Sequence, residues 1–190
     1  MKRALLVVVS GSVATGRSNL AARLAAELGI PLVTRDAVRG GLVETQAGRS
    51  RLPAAELAAR ASDAWHDAVN GLLAADVSLV VEHSLRAEIS RRDLDAFSAH
   101  ARIRVVSCHL DPAKVGLPPP PEPVLRPMRT GGMIVERPQS RRPPGAGPNP
   151  TTDAGALAST LGVPVLGAHA TAKGFKPPLA EIIWFCRQGD

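Results

Sequence analysis

The sequence predicts an α/β fold: a five-stranded parallel sheet with helices on both faces. Three observations predict it. Short β-branched runs alternate with helical patterns along the chain, which gives parallel strands joined by right-handed crossovers. The first run, Ala4 to Ser10 (ALLVVVS), is continuously apolar, as a central strand buried on both faces requires. A glycine-rich loop follows that run directly and leads into a helix. Ligands of such sheets bind at the carboxyl ends of the strands, so the chemistry is expected just after Ser10, Thr34, Val81 and Leu110.

The elements follow in order. Asn19 to Leu28 switches to a helical period, with Leu20, Leu24 and Leu28 four residues apart and Gly29 as the stop. Pro31 to Thr34 reads as a second, short strand. Leu57 to Ala75 is helical, carrying Leu57, Ala61, Trp65, Val69 and Leu72 on one stripe. Val77 to Val81 is a third strand, Ala87 to Ala99 a helix, and Ile103 to Leu110 a fourth strand. Asp153 to Leu161 is helical and Val163 to Leu166 a fifth strand. Leu179 to Arg187 closes the chain as a helix entered through Pro177-Pro178, which suit a first turn.

Length and composition fit one globular domain over residues 1–190: 45% of residues are apolar, 21% charged, and the net charge is +6. No apolar run reaches the roughly 18 residues of a membrane span. Met1-Lys2-Arg3 and the apolar residues after it superficially resemble a signal peptide, but the stretch is short and runs into a glycine-rich turn. Cys108 and Cys186 make no disulfide framework, so the expected compartment is the cytoplasm.

Twelve of the 17 prolines lie between Pro112 and Pro150, with six basic residues against two acidic ones. Most of the net charge therefore belongs to this stretch. Pro118 to Pro121 removes donors and fixes φ, so no helix crosses it. Residues 114–150 read as an extended basic insertion, functional or disordered, in an otherwise compact core.

The loop after the first strand is Gly11-Ser12-Val13-Ala14-Thr15-Gly16-Arg17-Ser18, a G-x-x-x-x-G-[K/R]-S spacing in a strand–loop–helix context. Glycines let such a loop curl until its backbone N–H groups point inward, and the helix N-terminus adds positive potential. The nest suits a polyphosphate, and Ser18 offers its hydroxyl to Mg²⁺. A strand, such a loop and a helix in this order predict a P-loop NTPase three-layer sandwich. Arg17 stands where the P-loop almost always carries Lys, a planar fork in place of a compact point charge. The alternative is a degenerate loop that binds phosphate poorly.

Thr34-Arg35-Asp36-Ala37-Val38-Arg39 follows the second strand. A phosphoryl transferase needs a carboxylate to accept the proton of the attacking hydroxyl, and a cation to steady the acceptor. Asp36 and Arg39 are so placed if Asp36 opens a helix; on spacing alone, Asp36 is equally a helix N-cap.

The phosphate loop, the T-R-D-x-x-R segment, Val77 to Arg86 (VSLVVEHSLR) and the tail (VPVL, then PPLAEIIWF) together resemble the P-loop kinases grouped with polynucleotide 5′-kinases, chloramphenicol phosphotransferases and zeta toxins. The resemblance covers most of residues 4–110 and, more weakly, 163–186. It implies Asp36 as general base and Arg39 as a contact to the acceptor. It sets Glu82, His83, Ser84 and Arg86 at the place of the family's third-strand acid and arginine. Glu82 then orients a metal-bound water or the acceptor, or is a solvated strand end. The family's arginine-bearing lid falls on Pro112 to Pro150, with Arg126 and Arg129 as its candidates, although that lid is usually helical and this one is not.

The five histidines show no metal-ligand spacing, and only His83, beside Glu82, stands at a strand's carboxyl end. Trp65 and Trp184 lie on apolar helical stripes and read as core, Cys108 as an inert thiol. With aromatics at 3%, stacking on single-stranded nucleic acid is disfavoured. The expected function is transfer of the γ-phosphoryl of ATP, with Mg²⁺, to a hydroxyl of a small molecule. Transfer to a polynucleotide 5′-hydroxyl and non-catalytic nucleotide binding are the alternatives.

Overall fold

The computed structural model describes residues 3–11, 15–45, 52–83, 87–109, 162–171 and 174–188. They form β1 (Ala4–Gly11), α1 (Arg17–Leu28), β2 (Leu32–Thr34), α2 (Arg35–Thr45), α3 (Ala54–Ala74), β3 (Leu79–Glu82), α4 (Ala87–Ser98), β4 (Ala101–His109), β5 (Val165–Thr171), β6 (Gly174–Lys176) and α5 (Leu179–Arg187). The sheet order is β2-β3-β1-β4-β5-β6, parallel throughout except for β6 against β5. Six strands therefore replace the expected five. The sixth spans three residues and pairs only with the strand beside it, too short a run to leave a periodic signal.

From β1 the chain moves outward past β3 to β2, then returns and travels the other way to β4 and β5. With right-handed crossovers, reversing direction puts the connecting helices on opposite faces. Two cores result. Ala4, Leu6 and Val8 face Trp65, Val69 and Leu73 of α3 and Leu94 and Phe97 of α4. Leu5, Val7 and Val9 face Leu20, Ala21 and Leu24 of α1 and Ile182 and Cys186 of α5. All eight residues of β1 are buried, so both halves of the alternation are apolar, and each large side chain contributes about 1.5–3 kcal/mol.

Helix ends follow local chemistry. Gly29 takes φ 68° after α1, with Ile30 N–H on the Ala25 carbonyl and Gly29 N–H on that of Ala26, a Schellman closure at the expected stop. The same closure ends α3 around Asp76 at φ 59°, where Val77 N–H donates to the Leu72 carbonyl. Val77 thus belongs to the helix end, which is why β3 begins at Leu79 and not at Val77. Strand β5 also differs from expectation, starting at Val165 and running to Thr171, because Gly167, Ala168 and Ala170 conceal its period and pairing with β4 defines it. Helix α5 spans Leu179–Arg187 as the sequence predicts. The predicted helix 153–161 and the insertion 114–150 lie outside the described residues.

Candidate active site

Gly11 ends β1 beside Cys108 of β4, with φ 147°. A Cβ there would run into the Cys108 carbonyl and side chain, so only glycine lets the chain leave the sheet at this point. Gly16, at φ 80°, turns the chain into α1, and its carbonyl accepts the first helical bond from Leu20 N–H. The N-terminus of α1 is thereby set at the carboxyl edge of the central strand, where the helix dipole makes positive potential. Ser12, Val13 and Ala14 lie outside the described residues.

Arg17 opens this helix and adds a second positive charge to the same end. One carboxylate offsets both. Arg17 Nε donates to Glu82 Oε1 at 2.7 Å, and Ser18 Oγ donates to the same oxygen at 3.0 Å. Arg17 Nη1 also donates to the Gly11 carbonyl at 2.9 Å, tying the helix back to β1. The pair is partly shielded, with side-chain exposures of 20% for Arg17 and 13% for Glu82. Glu82 lies level with Val9 of β1 and Thr34 of β2, so it belongs to the phosphate-loop side of the edge and not to a solvated strand end.

Thr34 ends β2, and its Oγ1 accepts a hydrogen bond from Ala37 N–H at 3.1 Å. Thr34 is therefore the N-cap of α2, a duty the sequence left open to Asp36. Asp36 is in the first helical turn, exposed, with Arg39 one turn on and half-buried. Thr34 is two strand spacings from β1, about 10 Å, so Asp36 stands across the edge from the phosphate loop. Arg86 and the insertion arginines Arg126 and Arg129 lie outside the described residues.

Alternation at the tip of β3 sends the next residue the other way. His83 is buried, 5% exposed, against Trp65 of α3. Its Nε2 lies 3.0 Å from Arg35 Nη2 and 3.2 Å from Asp93 Oδ2. Burial pushes the His83 imidazole below its ordinary value, against the Asp93 carboxylate that raises it. Arg35 also stacks over the Trp65 ring at 4.9 Å, and burial lowers its guanidinium from the usual value. His66 of α3 reaches Asp93 Oδ1 at 3.0 Å. Nothing in the sequence pattern marks this cluster: His66, His83 and Asp93 sit on three elements without local spacing, and only His83's place at a strand end singled one out.

At the far side of the edge, His109 and His169 sit level on β4 and β5, with ring centroids 5.4 Å apart. Burial, then the neighbouring His169, lower the His109 imidazole. Cys108 is buried beneath the phosphate loop with its thiol pushed up to about 12 by desolvation, an inert group as expected. Trp65 is fully buried, but Trp184 is 68% exposed and not core. It stands two residues from Ile182, hence on the opposite side of a helix that buries only Ile182 and Cys186.

The chain matches no protein-family model and no curated protein. Among solved structures it is similar to a candidate kinase from Chloroflexus aurantiacus, at 18% identity over 98% of each chain and a TM-score of 0.62. It also overlaps a gluconokinase from Sinorhizobium meliloti, at 16% identity over 97% of this chain and 89% of that one, with a TM-score of 0.43. The first likeness bears on the fold; the second is too slight to add to it. Together with the sheet order and the strand–loop–helix turn, it supports the fold: a mostly parallel six-stranded sheet with helices on both faces. No helix among the described residues is long and apolar enough to cross a membrane.

Proposed function

We propose that this chain is a cytoplasmic P-loop kinase that transfers the γ-phosphoryl of ATP to a hydroxyl group of a small molecule. One observation carries the reading: the N-terminus of α1, Arg17, Ser18 and Glu82 converge at the carboxyl edge of the central strand. Such an end binds polyphosphate through backbone N–H groups and a cation that meets the charge developing on the transferring oxygens. Bound phosphates compete with Glu82 for Arg17, which frees Glu82 Oε1 and Ser18 Oγ. These are hard oxygen donors 3.0 Å apart, the kind that suits Mg²⁺. When bound there, Mg²⁺ neutralises charge on the β- and γ-phosphates.

Asp36 accepts the proton of the attacking hydroxyl. With Thr34 doing the capping, its carboxylate has no structural duty at the helix start, and its exposure leaves it open to an acceptor. Arg39, on the same helix face, steadies that acceptor, and Arg86 would join it from the end of the β3 loop. The lid position of the family falls on the insertion 114–150, and Arg126 and Arg129 are its candidates for meeting charge on the transferring group. The whole of residues 1–190 acts as one kinase domain.

The test is a γ-phosphate transfer assay over a panel of hydroxyl compounds, paired with calorimetric titration of ATP and Mg²⁺. Asp36→Asn is expected to lower turnover about 10²–10⁴-fold while nucleotide affinity stays within a factor of about two or three. Transfer unchanged in Asp36→Asn removes the base assignment. The double engagement of Arg17, by Glu82 and the Gly11 carbonyl, favours a second reading in which the loop binds nucleotide without turning it over. Transfer gained on Arg17→Lys identifies that state.

A further inference from the structure

The cluster on the α3 and α4 face holds buried polar atoms that its own groups do not satisfy. His66 Nδ1 lies 2.8 Å from the Ser62 carbonyl, which only accepts, so Nδ1 carries the hydrogen. With Nδ1 so engaged, Nε2 is the ring atom that faces Asp93 Oδ1, 3.0 Å away. Arg35 only donates, so His83 Nε2 facing its Nη2 presents a lone pair, with Asp93 Oδ2 at 3.2 Å. Two ring nitrogens and two carboxylate oxygens thus converge, four atoms that can each offer a lone pair to one cation. Among the described residues, His66 Nε2, Asp93 Oδ2 and His83 Nδ1 are buried without a hydrogen-bond partner.

We propose that His66, His83 and Asp93 form a binding site for a divalent transition metal of the zinc type, separate from the phosphate loop. Ligand atoms about 2.0–2.1 Å from a tetrahedral zinc lie about 3.3 Å apart, close to both nitrogen–oxygen separations here. The three residues hold their ligand atoms within 4.8 Å of one another. His66 also has the outer contact that metal-binding histidines require, since donation to the Ser62 carbonyl fixes its tautomer and ring plane. A cleft of about 690 Å³ opens onto His66 and Asp93 and is lined by Asp63, Asp67 and Asn70 as well. It supplies an entry path, two more carboxylates to attract a cation, and room for water at an open position.

Arg35 is the group that must give way. Binding at His83 Nε2 displaces its Nη2, and the guanidinium keeps its seat over the Trp65 ring. The donor set selects the ion: two imidazoles and one carboxylate suit zinc, cobalt or nickel, whereas Mg²⁺ prefers all-oxygen sites. The metal would join the tip of β3 to α3 and α4, so its binding is coupled to the stability of that face.

The test uses the full chain, freed of metal by a chelator and titrated with Zn²⁺ in the presence of excess Mg²⁺, which occupies oxygen-only sites. One equivalent of Zn²⁺ is expected, with a rise in the unfolding midpoint, and Co²⁺ in its place should give visible absorption bands. His66→Gln, at a half-buried position, and Asp93→Asn should each weaken binding by roughly a hundredfold or more, beyond what loss of an outer-shell partner costs. Both should also abolish the Zn²⁺-dependent rise in midpoint while circular dichroism shows the fold retained. No stoichiometric Zn²⁺ uptake overturns the site and leaves a His66 imidazolium paired with Asp93. Uptake that survives both variants overturns it equally.

Discussion

The two faces of the sheet hold their charged groups in opposite ways. On the α1 and α5 face, Glu82 accepts from Arg17 and Ser18 through one oxygen, and every group in the trio has a complementary partner. On the α3 and α4 face, one residue further along the same strand, His83 meets Arg35 and Asp93 with lone pairs left over. The first arrangement is internally matched. The second leaves buried polar atoms without a hydrogen-bond partner. A step of one residue along β3 separates them, because successive strand side chains point to opposite faces.

The contrast can be tested face by face. Cys108 and Cys186 both belong to the α1 and α5 core, and burial pushes each thiol up to about 12. At pH 8 their native reaction with a thiol reagent should run about 10³-fold slower than that of an exposed cysteine, and both should react in urea. Fast native labelling would mean that this face opens readily.

Trp65→Ala probes the other face. Trp65 is fully buried, and its Nε1–H donates to the Val33 carbonyl at 3.1 Å, anchoring β2. A loss of about 3–5 kcal/mol in urea unfolding is expected. If the faces are independent, native thiol protection persists in this variant; its loss would merge them into one cooperative unit.

Glu82→Gln removes the carboxylate that Arg17 and Ser18 share. Turnover should fall about 10–100-fold, with stability changed by about 1 kcal/mol or less, since the pair is only partly shielded. A stability loss as large as that of Trp65→Ala would make Glu82 a structural residue and break the contrast.

The smallest effect concerns α2, which carries Asp36 and Arg39 and buries no residue. Gly40 lies inside this helix with nothing near the position of a Cβ. Gly40→Ala should raise stability by about 0.5–1 kcal/mol in urea unfolding. A destabilised variant would show that α2 needs the glycine's freedom.

The central strand, both cores and the Gly29 stop were legible because each rests on local chemistry: an unbroken apolar run, a four-residue repeat and a residue that tolerates positive φ. The glycine positions between β1 and α1 were legible for the same reason, and so was the position of Asp36 and Arg39 one turn apart. Thr34's capping was not singled out, since Thr34 and Asp36 both stand where a cap is chemically suitable. Strand β6 was missed because three residues carry no period. Trp184 was misread because an apolar stretch does not say which side of a short helix meets the sheet.

By itself the sequence determined the alternating α/β order, the glycine-rich turn between β1 and α1, and the carboxylate and arginine after the second strand. These are written in neighbouring residues and depend on φ preferences and periodicity. Only the tertiary structure decided that Glu82 serves Arg17 while His83 joins His66 and Asp93. Those partners are 65, 17 and 10 residues away, and it is the packing of α1, α3 and α4 on opposite faces of one sheet that brings them within reach.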